Sequence, residues 1–378
     1  MQILLNLSTL KSGGGQNVGL NFVNSLIYGD FKLDNFHFVV AKNSEIEKLL
    51  ISNNITSFTS FPKYAILRII CEILFGRYLC KKNNIDIIYT LFGYGLYPKK
   101  IKQVIGMADS NLFFPEINFW SDFTGISLIK KQLIDKFRIF GLSRSSGIIF
   151  ENPALEKRFK KIFDFSSKTI TIYPSINLNN SKSSIDISKK INFKDSRIGL
   201  FLCGWQKHKG IFKIPDIAFE LKKQGVKYNF IITAPINNSK IHNDFMAKVQ
   251  KLNVNEYISI IGPVKQTQLM TLYNQVDFVF LISKLESFSN NIIEAWAFKK
   301  LLVVSDSEWA HSICGNAAIY VNRDSAIEIS NKVIDVINKF DDFSHIIENG
   351  KINLANFNNI FQKTKKEIEF VNKIYKNV

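Results

Sequence analysis

Residues 278–306 read FVFLISKLESFSNNIIEAWAFKKLLVVSD, and this stretch decides the fold. An apolar strand, residues 278–282, leads through a turn of small residues into a helix, residues 290–298, and a second apolar strand follows at 301–304. Strand, helix and strand in this order indicate a parallel sheet whose strands are connected by helices. The loop after the first strand should then lie beyond the carboxyl ends of the strands, where open α/β sheets bind their ligands.

The same alternation extends along the chain on both sides of this stretch. In the first half, short apolar strands separated by helix-length segments are predicted at residues 3–7, 36–40, 86–89, 102–105, 147–150 and 169–173. In the second half, strands are predicted at 198–203, 228–233 and 258–260, with helices at 211–223 and 266–274. This pattern predicts an α/β protein with two doubly wound parallel sheets.

The boundary between the two sheets is predicted in a polar stretch, residues 177–190, which is rich in Ser, Asn and Lys. We predict an N-terminal domain over residues 1–190, with its linker from about residue 177, and a C-terminal domain over residues 191–357. A basic helix at 358–375, within the segment 358–378, is expected to pack back on the N-terminal domain. The chain has 378 residues, 46% of them hydrophobic, so each domain can bury a core of its own.

Cysteine and histidine residues give no support for a structural metal. Cys71, Cys80, Cys203 and Cys314 lie far apart without CxxC spacing, and the five histidines form no metal-binding motif. Cysteines scattered in this way are typical of a reducing compartment. We therefore expect a cytoplasmic protein that needs no metal.

The formal net charge of +17 indicates an anionic partner or simply a Lys-rich and Asn-rich composition. Basic residues concentrate in two apolar-rich segments, 64–82 and 127–144, each of helical character. Either segment could be a core-facing helix with a solvated basic side or a helix that lies on a membrane surface. Arg68, Glu72 and Arg77 interrupt the first segment too often for a membrane span.

The loop after residues 278–282 holds the best candidates for a binding site. Ser289 is a plausible N-cap, which would leave the first N–H groups of the following helix for an anion such as a diphosphate. Glu286 precedes the helix start, and Glu294 lies roughly 7 Å along its axis. A nucleoside-diphosphate sugar has a hydroxyl-rich ring on each side of its diphosphate. Glu286 could accept hydrogen bonds from the sugar of such a ligand, and Glu294 from its ribose diol. Spacing alone favours the other interpretation, a loop glutamate and a solvated helix glutamate, because two glutamates eight positions apart often occur by chance.

The wider context of these glutamates resembles a known family. The stretch 278–306, including Ala295-Trp296-Ala297, and the run from Cys314 to Tyr320 resemble the signature region of retaining GT-B glycosyltransferases of the group-1, or family four, type. Bacterial surface-polysaccharide and lipopolysaccharide glycosyltransferases are of this type. The resemblance covers the C-terminal domain, and it implies a GT-B fold with two Rossmann-like domains facing across a cleft.

The resemblance also implies a set of donor-binding residues. The family places an Arg and a Lys after the first strand of the C-terminal domain, and Lys209 matches that lysine. Trp205 stands where the arginine is usual, so Lys207 is the candidate substitute, as a point charge without a bidentate fork. The implied catalytic residues are Glu286 and Lys209. The implied donor-binding residues are Gly204, Lys207, Lys209, Phe288, Ser289, Asn290 and Glu294.

A glycine-rich turn, residues 12–15, precedes a predicted helix at 16–27. Gly13, Gly14 and Gly15 would allow close approach of the backbone to a ligand, and the family places this loop at the cleft. The turn is not a phosphate-binding P-loop, because no Gly-Lys-Ser/Thr follows, and it lacks the third glycine of a dinucleotide fingerprint. A tight turn with no ligand is the other interpretation.

The resemblance implies a hexosyltransferase of EC class 2.4. It would move a sugar from a UDP-type or GDP-type nucleotide sugar, as co-substrate and with no cofactor, to a hydroxyl of a glycan or lipid-linked oligosaccharide. Retention of configuration is expected, and metal independence too, because no Asp-x-Asp occurs. Peripheral contact with the cytoplasmic face of an anionic membrane would serve such an acceptor. The alternatives are a sugar-nucleotide epimerase on the same fold and a basic nucleic-acid-binding protein without enzymatic activity.

Overall fold

A computed structural model describes residues 1–11, 13–175, 183–237 and 239–377 of the chain. The chain divides into two compact units, Met1–Ile176 together with Asn358–Val378, and Asn177–Phe357. Part of the predicted linker at 177–190 lies outside the described residues. Ser12 of the glycine-rich turn also lies outside them. Each unit contains one parallel sheet covered by helices, which confirms the predicted α/β class.

The first unit contains a sheet of seven parallel strands in the order β3-β2-β1-β4-β5-β6-β7. The strands are β1 (Ile3–Asn6), β2 (Phe36–Ala41), β3 (Phe58–Phe61), β4 (Ile87–Thr90), β5 (Lys102–Met107), β6 (Gly147–Phe150) and β7 (Lys168–Thr171). The helices of this part of the chain are α1 (Gly13–Tyr28), α2 (Glu45–Ser52), α3 (Ala65–Lys82), α4 (Gly125–Ser143) and α5 (Pro153–Ile162).

The helices divide between the two faces of this sheet because side chains alternate along each strand. Ile3 and Leu5 pack with α1 and α2, whereas Leu4 packs with Leu79 and Cys80 of α3. Helices α1 and α2 connect β1 to β2 and β2 to β3, so the chain moves towards the β3 edge of the sheet. Helices α3, α4 and α5 connect β3 to β4, β5 to β6 and β6 to β7, so the chain moves towards the β7 edge. Since such crossovers are right-handed, α3 and α4 share one face of the sheet, and α1 and α2 share the other.

The second unit contains six parallel strands in the order β10-β9-β8-β11-β12-β13. The strands are β8 (Ile198–Phe201), β9 (Asn229–Ile232), β10 (Ile258–Ile260), β11 (Phe278–Leu281), β12 (Leu301–Ser305) and β13 (Ile319–Val321). The helices are α6 (Ile214–Lys223), α7 (Lys240–Lys251), α8 (Leu269–Asn274), α9 (Asn290–Ala297), α10 (Glu308–Cys314), α11 (Ala326–Asn338) and α12 (Ser344–Leu354). Strand order reverses between β8 and β11, which is where doubly wound sheets bind ligands.

The last helix, α13 (Ile360–Lys376), returns to the first unit. Phe370, Val371 and Ile374 are buried in its core beside the strands. Lys102 of β5 donates hydrogen bonds to the carbonyl oxygens of Ile374 and Tyr375 at 2.9 and 3.0 Å, which closes the end of the helix. The first unit is therefore built from both ends of the chain.

The structure corrects two expectations for the first unit. The three glycines Gly13, Gly14 and Gly15 form the first turn of α1, which begins three residues before the predicted helix. The interpretation of segment 64–82 as a core-facing helix is wrong, because most of its apolar side chains are exposed. Among the described residues, none of the helices combines the length and the apolar character that crossing a membrane requires.

Candidate functional site

The candidate site is formed by two loops that follow the neighbouring strands β8 and β11. Residues 202–210 follow β8, and residues 282–289 follow β11. The backbone N–H of Lys284 donates a hydrogen bond to the carbonyl of His208 at 2.7 Å. Asn291 Nδ2 donates to the carbonyl of Leu202 at 3.2 Å. These two bonds hold the loops against each other at the point where strand order reverses.

Gly210 allows the closest approach of the two loops. Its φ angle is 84°, in the left-handed region that favours glycine. A Cβ atom at this position would lie 2.5 Å from the carbonyl oxygen of Ile282, so no larger residue fits without movement of the backbone. The glycine therefore places Lys209, its neighbour, beside the second loop.

The structure brings the two predicted catalytic residues into direct contact. Lys209 Nζ lies 2.5 Å from Glu286 Oε1, and the Glu286 residue is only 7% exposed. A charge-assisted pair in a partly dehydrated position is stronger than the same pair on a surface. Nearby, burial raises the pKa of the Cys203 thiol to about 12, so this cysteine is a neutral thiol rather than a nucleophile.

Helix α9 begins at this pair of loops. Ser289 occupies the predicted N-cap position with extended backbone angles, φ −131° and ψ 126°. In the described structure its hydroxyl makes no capping hydrogen bond, unlike the usual serine cap. Asn290 is the exposed first residue of the helix. The positive end of the helix dipole therefore faces the loop that carries Glu286.

Glu294 lies further along α9 and has a different environment. The hydroxyl of Tyr273 donates a hydrogen bond to Glu294 Oε2 at 2.8 Å. Burial raises the pKa of Glu294, and this hydrogen bond acts in the opposite direction. Tyr273 also stacks on Phe298, with ring centroids 5.0 Å apart. Sequence reasoning missed Tyr273, since nothing in the pattern of helix α8 links it to a residue 21 positions away.

The remaining basic candidate, Lys207, lies over an aromatic ring. Lys207 is exposed, and its Nζ lies 5.7 Å from the centroid of the Phe212 ring. Trp205 points into the domain, where Nε1 donates to the carbonyl of Pro235 at 2.7 Å and the ring packs on Phe245. The tryptophan at the position of the family arginine is thus a packing residue.

Two further donor-site candidates and one unpredicted cation lie around these loops. Phe288 packs on Phe357, with ring centroids 5.8 Å apart, and Gly204 is half-buried in the first loop. Arg323, after β13, donates from Nε to the carbonyl of Ile282 at 3.2 Å. Arg323 was not among the predicted site residues, because no strand was predicted at β13, the strand that it follows.

The predicted glycine loop belongs to the first unit. Gly13 has a φ angle of 64°, and a Cβ atom at Gly13 or Gly14 would meet nothing within 4 Å. A Cβ at Gly15 would touch only Leu10, at 3.4 Å. These glycines therefore leave open space at the start of α1.

Residues 183–352 match the family described as glycosyl transferases group 1. The matched region contains both loops of the candidate site, the whole of α9 and the Lys209–Glu286 pair. No curated protein matches the chain.

Solved structures resemble the chain over nearly its whole length. They include a glycosyltransferase from Rickettsia africae ESF-5, with 16% identity, TM-score 0.71, and coverage of 100% of this chain and 99% of that one. A sucrose-phosphate synthase from Thermosynechococcus elongatus has 13% identity, TM-score 0.73 and full coverage of both chains. Anabaena HepE in complex with UDP and glucose has 16% identity, TM-score 0.67, and coverage of 99% and 100%. These likenesses confirm the GT-B fold predicted from the sequence.

Proposed function

We propose that this enzyme, a glycosyltransferase with a group 1 domain at residues 183–352, transfers a sugar from a nucleoside-diphosphate sugar to a hydroxyl group with retention of configuration. The observation that supports this most directly is the Lys209–Glu286 pair at the start of α9. Structures of similar fold are described with related ligands, namely HepE with UDP-glucose and an Escherichia coli trehalose-6-phosphate protein with UDP-2-fluoro-glucose.

The diphosphate would bind where Lys209 and the first turn of α9 converge. An uncapped helix start offers backbone N–H groups and a positive dipole end, both suited to phosphate oxygens. Lys209 adds a positive charge that reaches the same loop. Ser289 and Asn290, at the helix start, would complete the phosphate-binding turn.

Glu286 would bind hydroxyl groups of the donor sugar. Its carboxylate already holds Lys209 at 2.5 Å, so a bound diphosphate would compete with Glu286 for the same ammonium group. Movement of Lys209 towards the phosphate would free Glu286 Oε1 to accept sugar hydroxyls. The pair thereby couples phosphate binding to orientation of the sugar.

Glu294 would bind the ribose diol of the nucleotide. Tyr273 fixes one carboxylate oxygen, and an ionised carboxylate offers about four acceptor sites in all. Because Tyr273 is buried against Phe298, the carboxylate is held in one orientation before a ligand arrives. Such preorganisation reduces the entropic cost of binding.

The chemical step would be a front-face substitution without a protein nucleophile. Lys209 and the α9 terminus would stabilise the negative charge that develops on the departing diphosphate. An oxygen of that diphosphate would help to deprotonate the incoming hydroxyl. Charge stabilisation by these groups removes the requirement for a divalent ion.

The acceptor would be a glycan or a lipid-linked oligosaccharide at the cytoplasmic face of a membrane. Lipid-linked acceptors of this kind carry an anionic diphosphate, which suits a chain with a net charge of +17. The first unit would present this acceptor.

The proposal is tested by a thermal-shift screen against UDP-type and GDP-type sugars, followed by product analysis. A donor at about 100 times its Kd stabilises the folded protein by about 2.7 kcal/mol, which raises Tm by a few degrees. We expect one donor to give this shift and the Lys209→Ala variant to lose it. Absence of a shift with every nucleotide sugar would contradict the proposal, as would conversion of the donor alone into an epimer.

A further inference from the structure

Helix α3 turns its apolar residues outward and its charged pair inward. Arg68 and Glu72 are buried, with exposures of 9% and 1%, and Arg68 Nη1 lies 3.7 Å from Glu72 Oε1. Glu72 also accepts a hydrogen bond from the backbone of Leu96 at 3.0 Å. The exposed residues are Ile66 (75%), Leu67 (49%), Ile70 (43%), Ile73 (56%), Leu74 (65%), Phe75 (52%) and Tyr78 (60%). A solvated helix normally shows the reverse pattern.

Helix α4 carries a second exposed apolar stripe. Ile126, Ile129, Leu133 and Phe140 recur at helical spacing and are 73%, 55%, 58% and 48% exposed. Single exposed apolar residues are common on proteins, but two helices that each expose a stripe mark a binding surface.

The two helices lie on the same face of the first sheet and meet the same loop between β4 and β5. Tyr97 of this loop packs against Gly76 of α3, where an added Cβ would lie 3.1 Å from the ring. Tyr94 packs against Gly141 of α4, where an added Cβ would lie 2.4 Å from the ring. Both apolar stripes therefore belong to one surface, which we call the α3–α4 face.

Within helices α3 and α4 the exposed charged residues are all positive. Arg77, Lys81 and Lys82 are exposed on α3, and Lys130 and Lys136 are exposed on α4. Each helix has a single acidic residue, and neither is an unpaired exposed charge. Glu72 is buried, and Asp135 pairs with Arg138 and accepts hydrogen bonds from Asn111 and Trp120.

We propose that the α3–α4 face binds the surface of an anionic lipid bilayer. The apolar side chains would enter the interface while the lysines and arginines contact lipid headgroups. A second copy of the chain is the less suitable occupant. A two-fold interface would place this positively charged face against itself, and like charges would oppose each other.

This inference rests on the proposed function and adds to it the surface at which the enzyme would reach a lipid-linked acceptor. The two proposals can fail separately. Vesicle binding is measured without donor or acceptor, and donor binding is measured without vesicles. The Lys209→Ala variant should therefore bind vesicles as the unsubstituted chain does.

The test is co-sedimentation of the full chain with vesicles of phosphatidylcholine, with and without phosphatidylglycerol. We expect binding to the anionic vesicles that weakens in high salt. The double variants Ile66→Glu/Leu74→Glu and Ile129→Glu/Leu133→Glu should each bind at least tenfold more weakly, because burial of one such side chain is worth roughly a factor of ten.

A matched control separates this surface from general loss of apolar residues. Ile51 of α2, on the opposite sheet face, and Ile327 of α11 are each 58% exposed, so Ile51→Glu/Ile327→Glu should bind vesicles normally. Equal loss of binding in the control and in the α3 and α4 variants would overturn the proposal. So would absence of vesicle binding, or a dimer in solution that the α3 and α4 substitutions dissociate.

Discussion

At the scale of single residues, the proposed donor site contains two glutamates that are held in different ways. Glu286 shares its charge with Lys209, whereas Glu294 is fixed by a neutral tyrosine hydroxyl. We expect a second anion to compete with Glu286 for Lys209, whereas the Tyr273 hydroxyl carries no charge for which an anion could compete. The two carboxylates should therefore affect different kinetic constants.

We expect Glu294→Ala to raise KM for the donor by roughly 10-fold to 100-fold, as is typical of a lost hydrogen bond to a charged group. Glu286→Ala should chiefly lower kcat, because it disturbs sugar orientation and the position of Lys209. Steady-state kinetics with the donor found in the screen would measure both. Glu348→Ala, at an exposed carboxylate, is the control, and normal kinetics in both site variants would refute the site.

Gly210 gives a second prediction at this scale. Gly210→Ala introduces both left-handed strain and a clash with the Ile282 carbonyl, so we expect a loss of about 2 kcal/mol or more in the free energy of unfolding. Gly225→Ala is the matched control, since Gly225 has a φ of 70° but no atom within 4 Å of an added Cβ. Denaturant titration of both variants separates strain from clash. Equal destabilisation would mean that the close approach of the loops has no energetic role.

At the scale of elements, α13 is joined to the first sheet by a buried polar cluster. Lys363 Nζ lies 2.5 Å from Glu367 Oε1, and both side chains are almost fully buried. Glu151, after β6, and the hydroxyl of Tyr89 on β4 belong to the same cluster. Burial raises the pKa of Glu151 to about 7, Lys363 opposes this shift and Glu367 adds to it.

This cluster should make stability depend on pH. The pKa of Glu151 is raised from 4.5 in the unfolded chain to about 7 in the folded chain. Its contribution to stability is therefore fully present below pH 4.5 and is lost as pH rises through 7. Glu151→Gln should be more stable than the unsubstituted protein at pH 8, by up to about 3 kcal/mol, and equal near pH 4.5. Urea titrations at both pH values measure this, and an equal difference at both would contradict it.

The sequence predicted most elements because their signals are local. Four of the apolar runs in the second unit, β8, β9, β11 and β12, end within two residues of their predicted positions. Strand β3 was missed because its sequence, FTSF, mixes polar and apolar residues at a half-buried edge. Periodicity identified α3 as a helix but could not decide which side is buried, since that depends on Tyr97 and Leu96 in a distant loop.

For the candidate site too, some features could be predicted from the sequence and others depend on tertiary contacts. Ser289 was predicted as an N-cap from the local strand, turn and helix pattern, and Glu286 was predicted from the resemblance of the surrounding stretch to the glycosyltransferase family. The contact of Glu286 with Lys209 joins residues 77 positions apart, and the bond between Glu294 and Tyr273 depends on the packing of α8 against α9. Such contacts follow from tertiary structure, which no local pattern contains.

At the scale of the whole molecule, the proposed chemistry relies on charges supplied by the chain itself. Excess chelator should therefore leave turnover unchanged, within the error of a continuous assay for released nucleoside diphosphate. In the proposed mechanism Lys209 and the start of α9 stabilise the negative charge of the departing diphosphate, which is the role that manganese or magnesium has in metal-dependent enzymes. Loss of activity in chelator that added manganese restores would contradict this mechanism.

The two-part construction of the first unit has a consequence for biosynthesis. Its sheet is encoded before residue 172, but Phe370, Val371 and Ile374, which complete its core, are translated only after the whole of the second unit. At typical rates of synthesis, roughly 10 to 40 s separate the two parts. During that time the first core lacks the side chains that α13 contributes to it. We expect the nascent chain to fold in the reverse of its sequence order, and to need a chaperone until the final helix emerges.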